Sequence, residues 1–263
     1  MASDPRIVVI TGASKGIGKA AAAAFFRNGD TIYDLSRNGS SDEVSRHVSC
    51  DVTSETDCNR AIESVLQTAE RIDVLLLNAG FGISGPVETT TIEAAQRQFD
   101  VCLFGAVRVL KAALPALRSS KGIVLFTSSV AGVVPIPYQA FYSAAKASIN
   151  SLVMALRNEL RGTGIRVAAV LPGDVKTEFT SARIKNPVNA ELYPNEIRSV
   201  QKMEHDEQHG MAPERIAERF VRLSMKHHPK PFCSVGFSYS AILVLMKILP
   251  AGLANRIIGR LYA

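Results

Sequence analysis

The stretch Thr11-Gly12-Ala13-Ser14-Lys15-Gly16-Ile17-Gly18 decides how the rest of the chain is read. It follows a short β-branched run, Ile7–Ile10, and opens an alanine-rich segment, Ile17–Asn28, with helical spacing of apolar residues. Three glycines between a strand and a helix permit a tight turn. They also let backbone N–H groups at the positive end of the helix approach a pyrophosphate closely. The spacing is G-x-x-x-G-x-G, which departs from the commoner G-x-G-x-x-G, and standing alone it implies nucleotide binding and nothing finer.

Outward from this turn, apolar β-rich runs alternate with helical patterns. Strands are expected at Thr31–Leu35, His47–Cys50, Val74–Leu77, Ile123–Thr127 and Ile165–Val170, with a last one near Phe232–Val235. Helices are expected over Glu55–Glu70, Ile92–Leu117, Phe141–Leu160 and Pro213–Met225. Strands this apolar are covered on both faces, so the fold class is α/β: one Rossmann-type, doubly wound parallel sheet with flanking helices. A single domain over residues 1–263 suits the length and the 47% hydrophobic content. Residues 178–212 turn polar and irregular, with Pro187, Pro194 and a charged helical stretch near Glu196–His209, and read as a substrate lid. Residues 238–263 read as a C-terminal helical tail.

The formal charge of +6 comes from scattered basic residues without aromatic interleaving or zinc-finger spacing, which argues against nucleic acid. Cys50, Cys58, Cys102 and Cys233 form no C-x-x-C pair, and Met1–Arg6 leads into a strand without an apolar leader, so a reducing, cytoplasmic setting is expected. His205 and His209 stand at i, i+4, but Glu207 is not in the H-E-x-x-H position and no metal is assigned.

Tyr142 and Lys146 lie four residues apart, on one face of the helix Phe141–Leu160. A nearby ammonium favours phenolate, so Lys146 is expected to lower the pKa of Tyr142 and fit it for proton exchange at neutral pH. Ser129 follows the strand Ile123–Thr127, at the carboxyl end of the sheet where ligands of such folds bind. Ser128 is its alternative, and Tyr138 is a weaker rival of Tyr142.

With these motifs in this order, the chain resembles the short-chain dehydrogenase/reductases from Ile7 to about Val235. It looks most like the branch related to 17β-hydroxysteroid dehydrogenases and acyl-dihydroxyacetone-phosphate reductases. The resemblance implies an NADP(H)-dependent oxidoreductase in which Ser129 steadies the substrate oxygen, Tyr142 transfers the proton and Lys146 also holds the nicotinamide ribose. It further implies that Gly12, Ser14, Lys15, Gly16, Ile17 and Gly18 cradle the diphosphate. Asp51 and Val52 would sit by the adenine, Asn78-Ala79-Gly80 would follow the fourth strand along the cofactor, and Pro172-Gly173 through Val175 and Thr177 would support the carboxamide. Lys15 and Arg37 match the two basic positions of NADP-preferring members, while Asp34 is the carboxylate that would instead favour NAD.

One departure is Cys102, which stands where many members carry an asparagine that anchors a water leading to the lysine. A thiol is a poor substitute for an amide. The proton relay is therefore expected to be rearranged but kept, unless Cys102 is simply a small buried hydrophobe. Phe81–Val87, the apolar loop Val130–Tyr138 and the lid would wall a pocket for a lipophilic ketone or alcohol, although the loop suits plain packing equally well. The tail, with Lys247, Arg256 and Arg260 among apolar residues, suits either docking on protein or peripheral membrane contact. The small-residue face Ala144, Ala147, Leu152 and Ala155 suits a homo-oligomer. A catalytically silent NADP-binding sensor or scaffold is the competing function.

Overall fold

A computed structural model of the chain describes residues 4–186 and 189–262; Pro187 of the lid and Ala263 of the tail lie outside the described residues. The elements run β1 (Ile7–Thr11), α1 (Gly16–Arg27), β2 (Thr31–Ser36), β3 (Ser45–Ser49), α2 (Glu55–Ala69), β4 (Val74–Leu77), β5 (Ile83–Ser84), α3 (Ile92–Phe99) and α4 (Gly105–Ser120). They continue with β6 (Ile123–Thr127), α5 (Ala140–Glu159), β7 (Arg166–Leu171), β8 (Ile184–Lys185), α6 (Glu196–Gln208), α7 (Pro213–Ser224), β9 (Phe232–Ser234), α8 (Phe237–Ile248) and α9 (Ala251–Tyr262).

Seven strands form one parallel sheet in the order β3-β2-β1-β4-β6-β7-β9. Side chains alternate between its faces. Val9, Leu75 and Val124 join α2, α4 and α5 in one core, whereas Val8, Ile10, Leu76 and Leu125 join α1 and α7 in the other. This two-sided burial is why the strands read as continuous apolar runs. The direction of strand addition reverses at β1, between β2 and β4, and that switch point opens a crevice at the carboxyl ends of the strands.

The helix expected over Ile92–Leu117 is divided. A five-residue π turn, Asp100–Phe104, separates α3 from α4, with the Gly105 N–H donating to the Asp100 carbonyl. A π turn adds one residue without breaking the apolar stripe, so periodicity does not reveal it. The segment expected to be a lid carries more regular structure than its composition suggests: β8 pairs in parallel with β5, and α6 forms the expected charged helix. Neither two-residue strand leaves a readable pattern in sequence.

Candidate active site

The glycine turn sits at the mouth of the crevice. Gly12 has φ +70° and Gly16 φ +52°, conformations in the left-handed region that favour glycine. Lys15 is the N-cap of α1 but provides no side-chain cap, so the helix presents its first N–H groups without one. Beneath the turn, Thr11 Oγ1 accepts from the N–H groups of Asn78 and Ala79 at 2.9 and 3.0 Å. The Asn78 amide donates to the carbonyls of Thr11 and Gly12, each at 3.2 Å, and accepts from the Thr127 hydroxyl at 3.0 Å. Asn78 thus binds β1, β4 and β6 together and holds the turn from below. An open glycine cradle at an uncapped helix start fits a dinucleotide diphosphate.

Asp34 is turned inward. It is 3% exposed, accepts the Ala13 N–H at 2.8 Å and the Ser36 hydroxyl at 2.9 Å, and burial raises its pKa in spite of these bonds. Lys15 and Arg37 remain exposed at the rim. Asp51 accepts from the Thr53 N–H and hydroxyl at 2.9 and 2.8 Å, and the first of these chiefly holds its pKa down, with a further contribution from the Arg37 charge. Val52 is buried against the N-terminus of α4, where a Cβ on Gly105 would lie 2.8 Å from Val52 Cγ2.

At the other end of the crevice, β6 delivers Ser128 and Ser129, and α5 delivers Tyr142 and Lys146. The alternative serine is otherwise engaged: Ser128 is 2% exposed and donates to Asn150 Oδ1 at 2.7 Å. Ser129 accepts the Ala131 N–H at 3.0 Å, and its hydroxyl is near enough to Tyr142 to pull the phenol's pKa down. Tyr138 stands apart with φ +62°, edge-on to Tyr193. Lys146 is buried, donates to the Thr127 carbonyl at 2.8 Å, and lies 5.7 Å from the centroid of the Tyr142 ring, so its remaining N–H donors are free to serve the phenol or a ribose.

The expected direction of the tyrosine shift needs correcting. Burial pushes the Tyr142 phenol above its ordinary value, the Cys102 thiol adds to the rise, and the Ser129 hydroxyl offsets only part of it. Lys146 is itself pushed down by burial. Desolvation, and not the neighbouring ammonium, sets the direction of the phenol's shift.

Cys102 occupies the π turn and is not an inert hydrophobe. The Gln98 amide donates to its sulfur at 3.0 Å and to the Phe81 carbonyl at 2.7 Å, and the thiol donates to that carbonyl at 3.6 Å. Its sulfur would lie 3.2 Å from a Cβ on Gly80, and Lys146 Nζ 3.9 Å from the same point. Because a polar partner already waits in Gln98, Cys102→Asn is expected to retain or raise turnover in a steady-state assay. Collapse to no activity would assign the thiol a specific role.

The loop after β7 meets the turn: a Cβ on Gly16 would lie 3.4 Å from Thr177 Cβ. Val175 turns its side chain into the core, which leaves only its backbone for a ligand. Gly173 has an additional reason to lack a side chain, since the Tyr239 ring of α8 fills that space, 2.1 Å from where a Cβ would stand. In the apolar loop, Val130 is core and Val133 and Val134 pack against it, so that half of the expected pocket wall serves packing.

Composition alone did not point to the groups the lid brings in. Phe179 packs on Tyr142 with ring centroids 5.6 Å apart, and Arg183 lies 5.8 Å from the Phe179 centroid. Arg183, with a fully buried side chain, pairs with Glu207, whose other oxygen accepts from Thr180 at 2.6 Å; Arg183 Nε and Nη1 have no partner among the described residues. An Arg within a loop otherwise full of surface charges carries no signal of burial in sequence.

Comparison with known proteins agrees with this geometry. The short chain dehydrogenase family model matches residues 6–187. A 3-ketodihydrosphingosine reductase of Bacteroides thetaiotaomicron is 35% identical over 87% of this chain and 86% of its own. A short-chain dehydrogenase structure from Streptomyces avermitilis superposes with a TM-score of 0.84 at 25% identity, covering 99% of this chain and 96% of that one. An alcohol dehydrogenase from Thermococcus sibiricus, solved with 5-hydroxy-NADP, superposes with a TM-score of 0.72 at 25% identity, over 89% and 97%. Neighbours of the same fold have been captured with NAD as well as with NADP. A match that runs from the first strand to residue 187, with a relative and a solved structure that align over most of the chain, settles the kinship: the chain belongs to the short-chain dehydrogenase/reductase family of oxidoreductases.

Proposed function

We propose that this protein is an NADP(H)-dependent reductase of a lipophilic ketone carrying a polar substituent near the carbonyl. The observation that carries the cofactor reading is Asp34, whose two oxygens are spent inside the fold on Ala13 and Ser36. A carboxylate so engaged is withdrawn from a ribose 2′-hydroxyl. The exposed Lys15 and Arg37 are the charges left at the rim to meet a 2′-phosphate.

When bound, the nicotinamide supplies hydride to the carbonyl carbon. Ser129 and Tyr142 then hydrogen-bond the carbonyl oxygen, and Tyr142, kept protonated by burial, gives the proton. Lys146, fixed to the Thr127 carbonyl, stays beside the phenol and offers its spare donors to ribose hydroxyls. Phe179 gives the substrate an apolar surface against Tyr142, while the half-paired Arg183 supports recognition of a polar neighbour of the ketone. Similarity to a 3-ketodihydrosphingosine reductase supports the same substrate class.

The test is a panel of sphingoid, fatty-acyl and steroid ketones assayed by loss of NADPH absorbance, with NADH in parallel. Arg37→Ala is expected to raise the KM for NADPH about tenfold, at the low end for a charge-assisted contact because the site is exposed, and to leave NADH unchanged. An unchanged NADPH KM would refute the cofactor assignment.

A further inference from the structure

The last two helices leave many apolar side chains facing solvent. α8 has no buried residue, although it carries Phe237, Ile242, Val244, Leu245 and Ile248. Phe237 is 91% exposed and Ile248 74%. Helical spacing places Phe237, Ala241, Leu245 and Ile248 on one outward stripe. In α9, Ala254 and Ile258 are buried, whereas Leu253, Ile257 and Leu261 form a second exposed apolar stripe at i, i+4, i+8. Arg256 and Arg260 border that stripe on the side away from the buried one. From Gly236 to Ala263 there are three cations and no carboxylate side chain.

We propose that the α8–α9 pair is a docking face for an anionic lipid surface. Exposed apolar stripes of this extent lower their free energy by leaving water, and arginines alongside them can keep their heads in the headgroup layer while the stripes sink. The charge pattern favours lipid over a second copy of the chain: a symmetric contact would bring Arg256, Arg260 and Lys247 toward one another with no carboxylate side chain in the segment to meet them. No helix among the described residues is long and apolar enough to cross a bilayer, so the pair lies along the surface. It is also rigidly tied to the enzyme. Tyr239 of α8 donates to Asp174 Oδ2 at 2.6 Å and accepts the Asp174 N–H at 3.0 Å beside Gly173, and Tyr262 of α9 lies under the Lys202 ammonium of the lid helix, 5.5 Å from ring centroid to nitrogen. A lipid-bound tail would thereby hold the lid and the loop after β7 close to the bilayer, independently of which ketone is reduced.

The experiment is co-sedimentation of the full-length protein with phosphatidylcholine vesicles and with vesicles containing phosphatidylserine, in low and high salt, with light scattering to report oligomeric state. Binding to the anionic vesicles alone, weakened by salt, is expected. Arg256→Ala with Arg260→Ala should reduce the partition coefficient roughly 20- to 30-fold, at about fivefold per cation, and Phe237→Asp with Ile248→Asp should abolish binding. Both variants should keep the wild-type melting temperature and NADPH affinity, because none of these residues lines the crevice. Absence of vesicle binding, binding insensitive to the variants, or a tail-dependent dimer without lipid binding would each overturn the proposal.

Discussion

Replacing Tyr142 by phenylalanine is expected to lower kcat about 10²- to 10⁴-fold, the usual range for removing a general acid, or about 3–5 kcal/mol of barrier. The change is confined to one oxygen. The ring contacts that position residue 142, with Phe179 at 5.6 Å and Lys146 at 5.7 Å, do not involve the hydroxyl, so the variant should fold and bind NADPH as before. The loss should therefore fall on kcat and not on the cofactor dissociation constant. The pKa direction adds a second signature. Because burial raises the phenol, the proton needed for ketone reduction is present throughout the neutral range, and the wild-type reduction rate should decline only on the alkaline side. Alcohol oxidation needs the phenolate and should climb with pH over the same interval. A phenyl ring in place of the phenol cannot titrate, so the residual rate of Tyr142→Phe should lose both trends. Stopped-flow rates in the two directions from about pH 6 to 10 would show this, and wild-type turnover by the variant would remove Tyr142 from the proton-transfer role.

What made the fold legible was repetition with a physical cause. The central strands β1, β4, β6 and β7 are buried on both faces, so they appear as apolar runs, and β4 and β6 have the boundaries expected from sequence, whereas the part-exposed edge strand β3 carries no such run. The turn was legible because glycine is the one residue type that satisfies its constraints. The direction of the Tyr142 shift was not, because adjacency on a helix reports the charge of Lys146 but not the desolvation that opposes it. Nor was the use of Asp34: inward and outward positions of β2 alternate, yet only the three-dimensional approach of Ala13 shows what its carboxylate holds. The lid hid its contribution for a related reason. Arg183 and Glu207 look like two more surface charges until the fold pairs them and sets Arg183 against the Phe179 ring.

The same contrast between local rules and packing sets the outcome expected for Gly18→Ala. By helix propensity alone, alanine in α1 should stabilise by about 0.5–1 kcal/mol relative to glycine. Packing points the other way: a Cβ on Gly18 would stand 2.1 Å from the Gly12 carbonyl oxygen and 2.6 Å from Asn78 Nδ2. The first obstacle is backbone and cannot rotate aside, and the second is the amide that holds β1, β4 and β6 together. Overpacking of this kind costs about 1–3 kcal/mol and outweighs the propensity gain, so a net loss of stability is expected in urea unfolding. The larger effect should be on the ligand. To relieve the contact, α1 must back away from the turn, which carries its free N–H groups away from the diphosphate and should remove measurable NADPH binding in a fluorescence titration. Gly259→Ala supplies the control, since nothing lies within 4 Å of its Cβ position and only the helix-propensity gain remains. Retention of both stability and NADPH affinity in Gly18→Ala would mean that the cradle is not where the dinucleotide binds.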